Sequence, residues 1–183
     1  VRCRELHGLL VGAALLGGCP TDDPDPPDDR DPFALVEQDA WVRVTDPGED
    51  AFADQRPADA VCDDAGYYFD PLAQTLEIKT EICDYPTLGQ PSLAALAPGD
   101  VVTVFAFHDF LTAEEPAQGY LGMAIDGQIE WQHTVPIPSD FGSIEGQFTI
   151  DRALPAGTPV QFHVHNHGPN TWELIAVLVT PAP

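Results

Sequence analysis

Three histidines fall within five residues of one another in the segment Gly157-Thr158-Pro159-Val160-Gln161-Phe162-His163-Val164-His165-Asn166-His167-Gly168. Neutral imidazole is a good ligand for zinc, copper or iron, so residue type and spacing here could do chemistry. Side chains alternate across a strand, which puts Val160, Phe162 and Val164 on one face. Gln161, His163, His165 and, if the strand persists, His167 then lie on the other. The following segment, Thr171–Thr180, carries Trp172, Leu174 and Ala176 on one face. Folded back as a hairpin with apolar face matched to apolar face, the two segments pair Val164 with Trp172 and Phe162 with Leu174, and set His163 opposite Glu173. Two imidazoles and a carboxylate form an expected donor set for copper or zinc, with His167 as a fourth donor and His108 as a more distant one. The same face offers a second expectation, a groove in which Trp172 and Asn166 contact a carbohydrate or protein ligand. A third is that the histidines are solvated residues of an open strand.

The run Leu154-Pro155-Ala156-Gly157, followed by Phe162-His163-Val164-His165 and Gly168-Pro169-Asn170-Thr171, resembles the copper-ligand segment of copper/zinc superoxide dismutases. The resemblance implies copper ligation by His163 and His165 on a β-sandwich. It is local: Gln161 stands where that segment has a small residue, and only 16 residues follow His167, so the family's downstream ligands have no counterpart in the same order.

The elements that must position these residues read as strands. Leu76, Ile78 and Ile82 alternate with charged residues, which predicts a strand with one wet face. Val101–Phe110, after the turn Pro98-Gly99-Asp100, is apolar on both faces and reads as a central strand that carries His108 among core residues. Asp126-Gly127 between Tyr120–Ile125 and Gln128–Val135 predicts a type I′ hairpin, because both central positions need positive φ. His133, on the face of Ile129, Trp131 and Val135, reads as a core histidine. Strands are also expected around Trp41–Val44 and Glu145–Ile150, and one short helical turn at Ser92–Leu96. These elements predict an all-β fold, a single jelly-roll-like sandwich of about eight antiparallel strands over residues 33–183.

Residues 1–18 join Arg2 and Arg4 to the apolar run Gly8–Leu16 and the small pair Gly17-Gly18, the pattern of an export signal too short to span a bilayer. Leu16-Gly17-Gly18-Cys19 resembles the lipobox of bacterial lipoproteins, which implies removal of 1–18 and acylation (diacylglycerol and palmitate) of Cys19. The partner so implied is the membrane of the cell envelope, and the location is exported and lipid-anchored. Residues 19–32 continue as a tether; Pro20–Pro32 holds six Asp and five Pro in thirteen residues and nothing to bury, so it is expected to extend as a spacer. With Cys3 removed and Cys19 acylated, Cys62 and Cys83 remain as the expected disulfide of an exported domain.

Charge sharpens the functional reading. The chain carries 30 acidic against 7 basic residues, a formal net charge of −23, which leaves no cationic surface for phosphate and argues against nucleic acid as a partner. A G-x-S-x-G elbow, a phosphate-binding glycine loop and an H-E-x-x-H helix are all missing from the sequence. The expected function is a lipid-anchored binding or surface-display module with a metal site in the histidine segment. The alternative is a copper- or zinc-dependent envelope enzyme using the same face.

Overall fold

The computed structural model describes residues 31–183 except His167. The export signal 1–18, the acylation site Cys19 and the tether up to Arg30 lie outside the described residues. Among the described residues eleven strands form two antiparallel sheets. They are β1 (Phe33–Ala34), β2 (Val42–Arg43), β3 (Tyr67–Asp70), β4 (Thr75–Lys79), β5 (Thr87–Pro91), β6 (Val101–His108), β7 (Ala117–Ile125), β8 (Gln128–Ile137), β9 (Gly142–Thr149), β10 (Pro159–His165) and β11 (Thr171–Thr180). One sheet runs β3-β4-β11-β6-β9 with β1 beside β11, and the other β2-β5-β10-β7-β8.

The eight strands β4 to β11 are distributed between the sheets in jelly-roll order, with β4, β11, β6 and β9 in the first and β5, β10, β7 and β8 in the second. The expected sandwich of about eight strands is therefore present, with β1, β2 and β3 as short additions. Asp126 (φ 55°) and Gly127 (φ 75°) make the expected turn between β7 and β8. Residues 92–96 form no helix and instead bring Leu96 into a bridge with Leu154. The disulfide Cys62–Cys83 is formed.

Facing side chains fill the space between the sheets. Ile78, Leu76, Val102, Val104, Trp172 and Leu174 from the first sheet pack with Leu88, Leu121, Met123, Val160, Phe162 and Val164 from the second. This packing corrects the expected hairpin. β10 and β11 do not pair: β10 lies between β5 and β7, and β11 between β4 and β6. β10 and β11 lie in different sheets, so the apolar faces of the two strands meet through the core. Both arrangements match apolar to apolar, but only the crossing buries each face against a whole sheet.

The wiring also gives the sandwich two distinct ends. The β4–β5, β6–β7, β8–β9 and β10–β11 connections share one end, which we call the tip. Phe33 pairs with Val179 near the finish of β11, so the chain enters the domain at the opposite end. β6, eight residues long, sets the distance between the ends at roughly 26 Å.

Candidate functional site

The alternation expected for β10 holds: Phe162 and Val164 face the core, while Gln161, His163 and His165 point to the outer side of their sheet. That side is not open. Residues 46–61 fold across it as a flap, and His163 is fully buried beneath it (0% exposed). Gln161 anchors the flap by accepting from Ala51 N (2.9 Å) and donating to Glu49 O (2.5 Å). Phe52 lies flat on the His163 ring, with centroids 4.6 Å apart and planes 17° off parallel. Gly122, the neighbour of His163 on β7, makes room for it, since a Cβ there would collide with the Phe52 ring. Tyr85 completes the enclosure: its hydroxyl donates to Phe52 O, and its ring is 4.3 Å from that of His163.

Within this enclosure His163 Nδ1 is 3.0 Å from Thr87 Oγ1, and its Nε2 is 3.1 Å from Nδ1 of His165. Contact between two imidazole nitrogens needs one ring to supply an N–H and the other a lone pair. Burial, with His165 and then Arg56 adding to it, holds His163 well below the ordinary imidazole range and keeps it neutral; a backbone bond near Pro86 opposes the shift. His165, half-buried, is stacked between Tyr120 (5.0 Å) and Tyr85 (5.7 Å). The expectation of solvated histidines is thus corrected at His163, whose neutral ring is satisfied by Thr87 and His165 and roofed by Phe52.

The other expected donors are not brought together with this pair. Glu173 sits on β11 in the opposite sheet, where its neighbours are Glu77 and Phe107 and its carboxylate accepts from Thr75 Oγ1 (3.2 Å). The jelly-roll crossing removes it from the side of His163. His108 is buried on the core side of β6 against Trp172, ring centroids 5.2 Å apart, with Nδ1 2.9 Å from Asp109 O. His167 lies outside the described residues. Among the described residues no group of three or more His, Cys, Asp or Glu side chains is placed to hold a metal ion. His133, read as a core histidine, is exposed on the edge strand β8 and stacked beside Trp131.

Trp172 and Asn166, expected as ligand contacts, are buried and occupied with each other. The Trp172 indole N–H donates to Asn166 Oδ1 (3.2 Å), which also accepts from Thr80 Oγ1 (2.7 Å) and Asn170 Nδ2 (3.0 Å). Asn170 Oδ1 accepts from Thr112 N (2.7 Å). These amides tie three tip connections together, so their role is to brace the tip rather than to present a surface.

The tip does present a surface elsewhere. Phe110 and Phe141, from the β6–β7 and β8–β9 connections, are 61% and 60% exposed and meet edge to face at 5.2 Å. Phe107, on the outer side of β6, continues the strip 6.4 Å from Phe141. Across the sheet from Phe107 the register sets Glu173, Glu77 and Tyr68 in one row. The sequence placed Phe110 at the end of the expected strand Val101–Phe110, but the strand stops at His108 and Phe110 lies in the connection; Phe141, also in a connection, carried no periodic signal. For Phe141 the residue type alone, a phenylalanine outside any expected strand, was the available signal.

No protein-family model and no curated protein matches the chain. Among solved structures, it is similar to "CBM4 structure and function" at 14% identity and a TM-score of 0.46, over 84% of this chain and 96% of that one. It is similar to "Crystal structure of Agl-KA catalytic domain" at 10% identity and a TM-score of 0.42, over 85% of this chain and 28% of that one. A third is "Catalytic domain of GH87 alpha-1,3-glucanase in complex with nigerose", at 13% identity and a TM-score of 0.31, over 60% of this chain and 22% of that one. The chain thus spans less than a third of the length of the two catalytic domains. The class that its own architecture defines is the two-sheet jelly-roll sandwich.

Proposed function

We propose that this chain is an exported, lipid-anchored binding module that displays its tip away from the membrane, and that the tip strip takes a polysaccharide. The observation that carries the reading is the exposed Phe110–Phe141 pair at the end of the sandwich opposite the point where the tether enters. Two large aromatic side chains left in water at one spot mark a contact surface. Their rings offer flat apolar area, as the carbon faces of pyranose rings do, at little cost in conformational entropy. Glu173 and Glu77, on the same outer side, supply carboxylate oxygens able to accept sugar hydroxyls. Acylation at Cys19 and the acidic, proline-rich tether would hold the domain at a distance from the membrane with the tip outward.

Affinity electrophoresis of the full chain against neutral and acidic polysaccharides, with sedimentation on peptidoglycan, tests the ligand class. Binding is expected to at least one of them and to weaken at least tenfold in Phe110→Ala/Phe141→Ala. No retardation by any polysaccharide, or equal binding by the double variant, would overturn the reading. Anchoring is tested separately: Cys19→Ala should move the protein from the membrane to the soluble fraction.

A further inference from the structure

We infer that a groove on the outer side of the second sheet is a docking site for an extended peptide segment that carries lysine. The groove, of about 630 Å³, runs between the flap and the β7–β8 turn, at the end of the sandwich away from the tip. The strand register builds its floor. Val42 on β2 pairs with Gly89 on β5, and Gly89 with Gln161 on β10, so the three share one outward-facing row. Gly89 leaves the middle of that row without a side chain, and a Cβ there would come within 3.0 Å of Val44 Cγ2. Val42 stands beside this trough, 67% exposed. Pro91 and Pro159, paired across β5 and β10, continue the aliphatic floor.

The flap wall is set before any partner arrives. Gln161 holds it at residues 49 and 51, Gln55 Nε2 donates to the Tyr120 hydroxyl (3.3 Å), Val61 N donates to the Asp84 carboxylate (2.9 Å), and the Arg56 guanidinium lies over the Tyr85 ring. A wall fixed at these points has little ordering left to lose on binding.

Charge selects the occupant. Asp46 and Glu49 stand on the flap side of the groove and Asp126 on the turn side, and no ion pair among the described residues takes up any of the three. Arg43, the one cation among the described lining residues, is committed to Cys62 O (2.6 Å) and Asp64 (3.4 Å). A lysine side chain answers both features: its methylenes lie along valine and proline, and its ammonium meets a carboxylate. No aromatic ring lines the groove, so it lacks the flat surface on which a sugar or a guanidinium stacks. At Gly127 and Gly157 nothing lies within 4 Å of where a Cβ would be, which leaves main chain uncovered for a peptide amide. An extended segment sets lysines i and i+2 on one face, roughly 7 Å apart, so a single strand offers an ammonium to more than one carboxylate. The inference is independent of the polysaccharide reading, which concerns the tip.

Fluorescence anisotropy of a labelled, acetylated Lys-Val-Lys-Val-Lys-Val peptide with the full chain tests the site. Saturable binding is expected, weakened at least tenfold in Asp46→Asn/Glu49→Gln/Asp126→Asn. These changes keep the shape. Asn retains the acceptor for Gly48 N at 46 and tolerates the φ of 55° at 126, and Glu49 meets Gln161 through its main-chain carbonyl. Val42→Ser should weaken binding at least threefold through the floor alone. Because the whole chain is acidic, Glu114→Gln/Glu115→Gln/Asp140→Asn removes equal charge at the tip and should leave binding within twofold of wild type. In the wild type, amide shifts on titration should centre on residues 42–49, 89–91 and 157–161. Equal losses in the two triple variants would reveal diffuse attraction to an acidic chain, and displacement of the peptide by an equal concentration of spermine would reveal a polyamine site. Either result, shifts centred elsewhere, full binding by Val42→Ser, or no saturable binding would overturn the proposal.

Discussion

The outer faces of the two sheets are both polar in sequence and end differently. One presents Gln161, His163 and His165 and is roofed by residues 46–61; the other presents Tyr68, Glu77, Lys79 and Glu173 and stays open, with Tyr68 39% exposed. The difference lies in what each polar group needs once water leaves. A neutral imidazole and a carboxamide can be satisfied by two or three hydrogen bonds, and Thr87, His165, Ala51 and Glu49 supply them. Glu77, Lys79 and Glu173 carry charge, whose desolvation costs several kcal/mol per ion unless it is well paired. On this sandwich, a face of neutral polar residues can be covered, and a face of charged ones is left for water or a ligand.

The largest expected effect comes from removing the residue that does the covering. Phe52→Ala deletes a fully buried ring from the cluster with Tyr85 and Ala124, and should cost about 3 kcal/mol in urea unfolding. Exchange should rise first at 46–61 and leave β6 and β11 protected, making the covered face resemble the open one. Equal loss of protection in both sheets would show that the flap belongs to the main cooperative unit. Next is the disulfide that joins the end of the flap at Cys62 to the β4–β5 connection at Cys83. Cys62→Ser/Cys83→Ser opens a loop with 20 intervening residues, which the loop-entropy relation puts at about 3 kcal/mol. Its loss should loosen the covered face more than the open one, as proteolysis within 50–61 would reveal.

How far the sequence anticipated this contrast depends on which interactions are local. Period-two alternation placed Leu76 and Ile78, Val102 and Val104, and Phe162 and Val164 on the buried side, and Asp126-Gly127 announced its own turn. Cysteine parity gave the Cys62–Cys83 pair. Alternation also put His163 on the right side of its strand but could not say what lies above it. The cover depends on one phenylalanine in an acidic loop, on a glycine at 122 in another strand, and on Gln161 reaching back to residues 49 and 51. These contacts are long-range and leave no period. The hairpin expected between β10 and β11 failed for a related reason: matching apolar faces is satisfied equally by pairing within a sheet and by facing across the core. The choice is made by β5 and β7 flanking β10, and by β4 and β6 flanking β11.

The smallest effect sharpens the comparison from the open side. Burial, then Glu77, Asp109 and Asp70, raise the Glu173 carboxyl above the ordinary value of 4.5, and the Thr75 hydroxyl opposes them only in part. A carboxyl raised by folding holds its proton better in the native state, so its contribution is most favourable below the ordinary value and is lost as pH rises through the raised one. At pH 7 the ionised Glu173 is a cost, moderated by the water that reaches this face. Glu173→Gln keeps the shape and an acceptor for Thr75, and should stabilise the domain by a few tenths of a kcal/mol at pH 7 once solvent screening is counted. The gain should shrink at pH 3.5, below the ordinary value of 4.5, where the wild-type carboxyl is mostly protonated as well. Thermal unfolding at the two pH values checks it, and a loss of stability at pH 7 would mean that the row of carboxylates is paired better than its neighbours indicate.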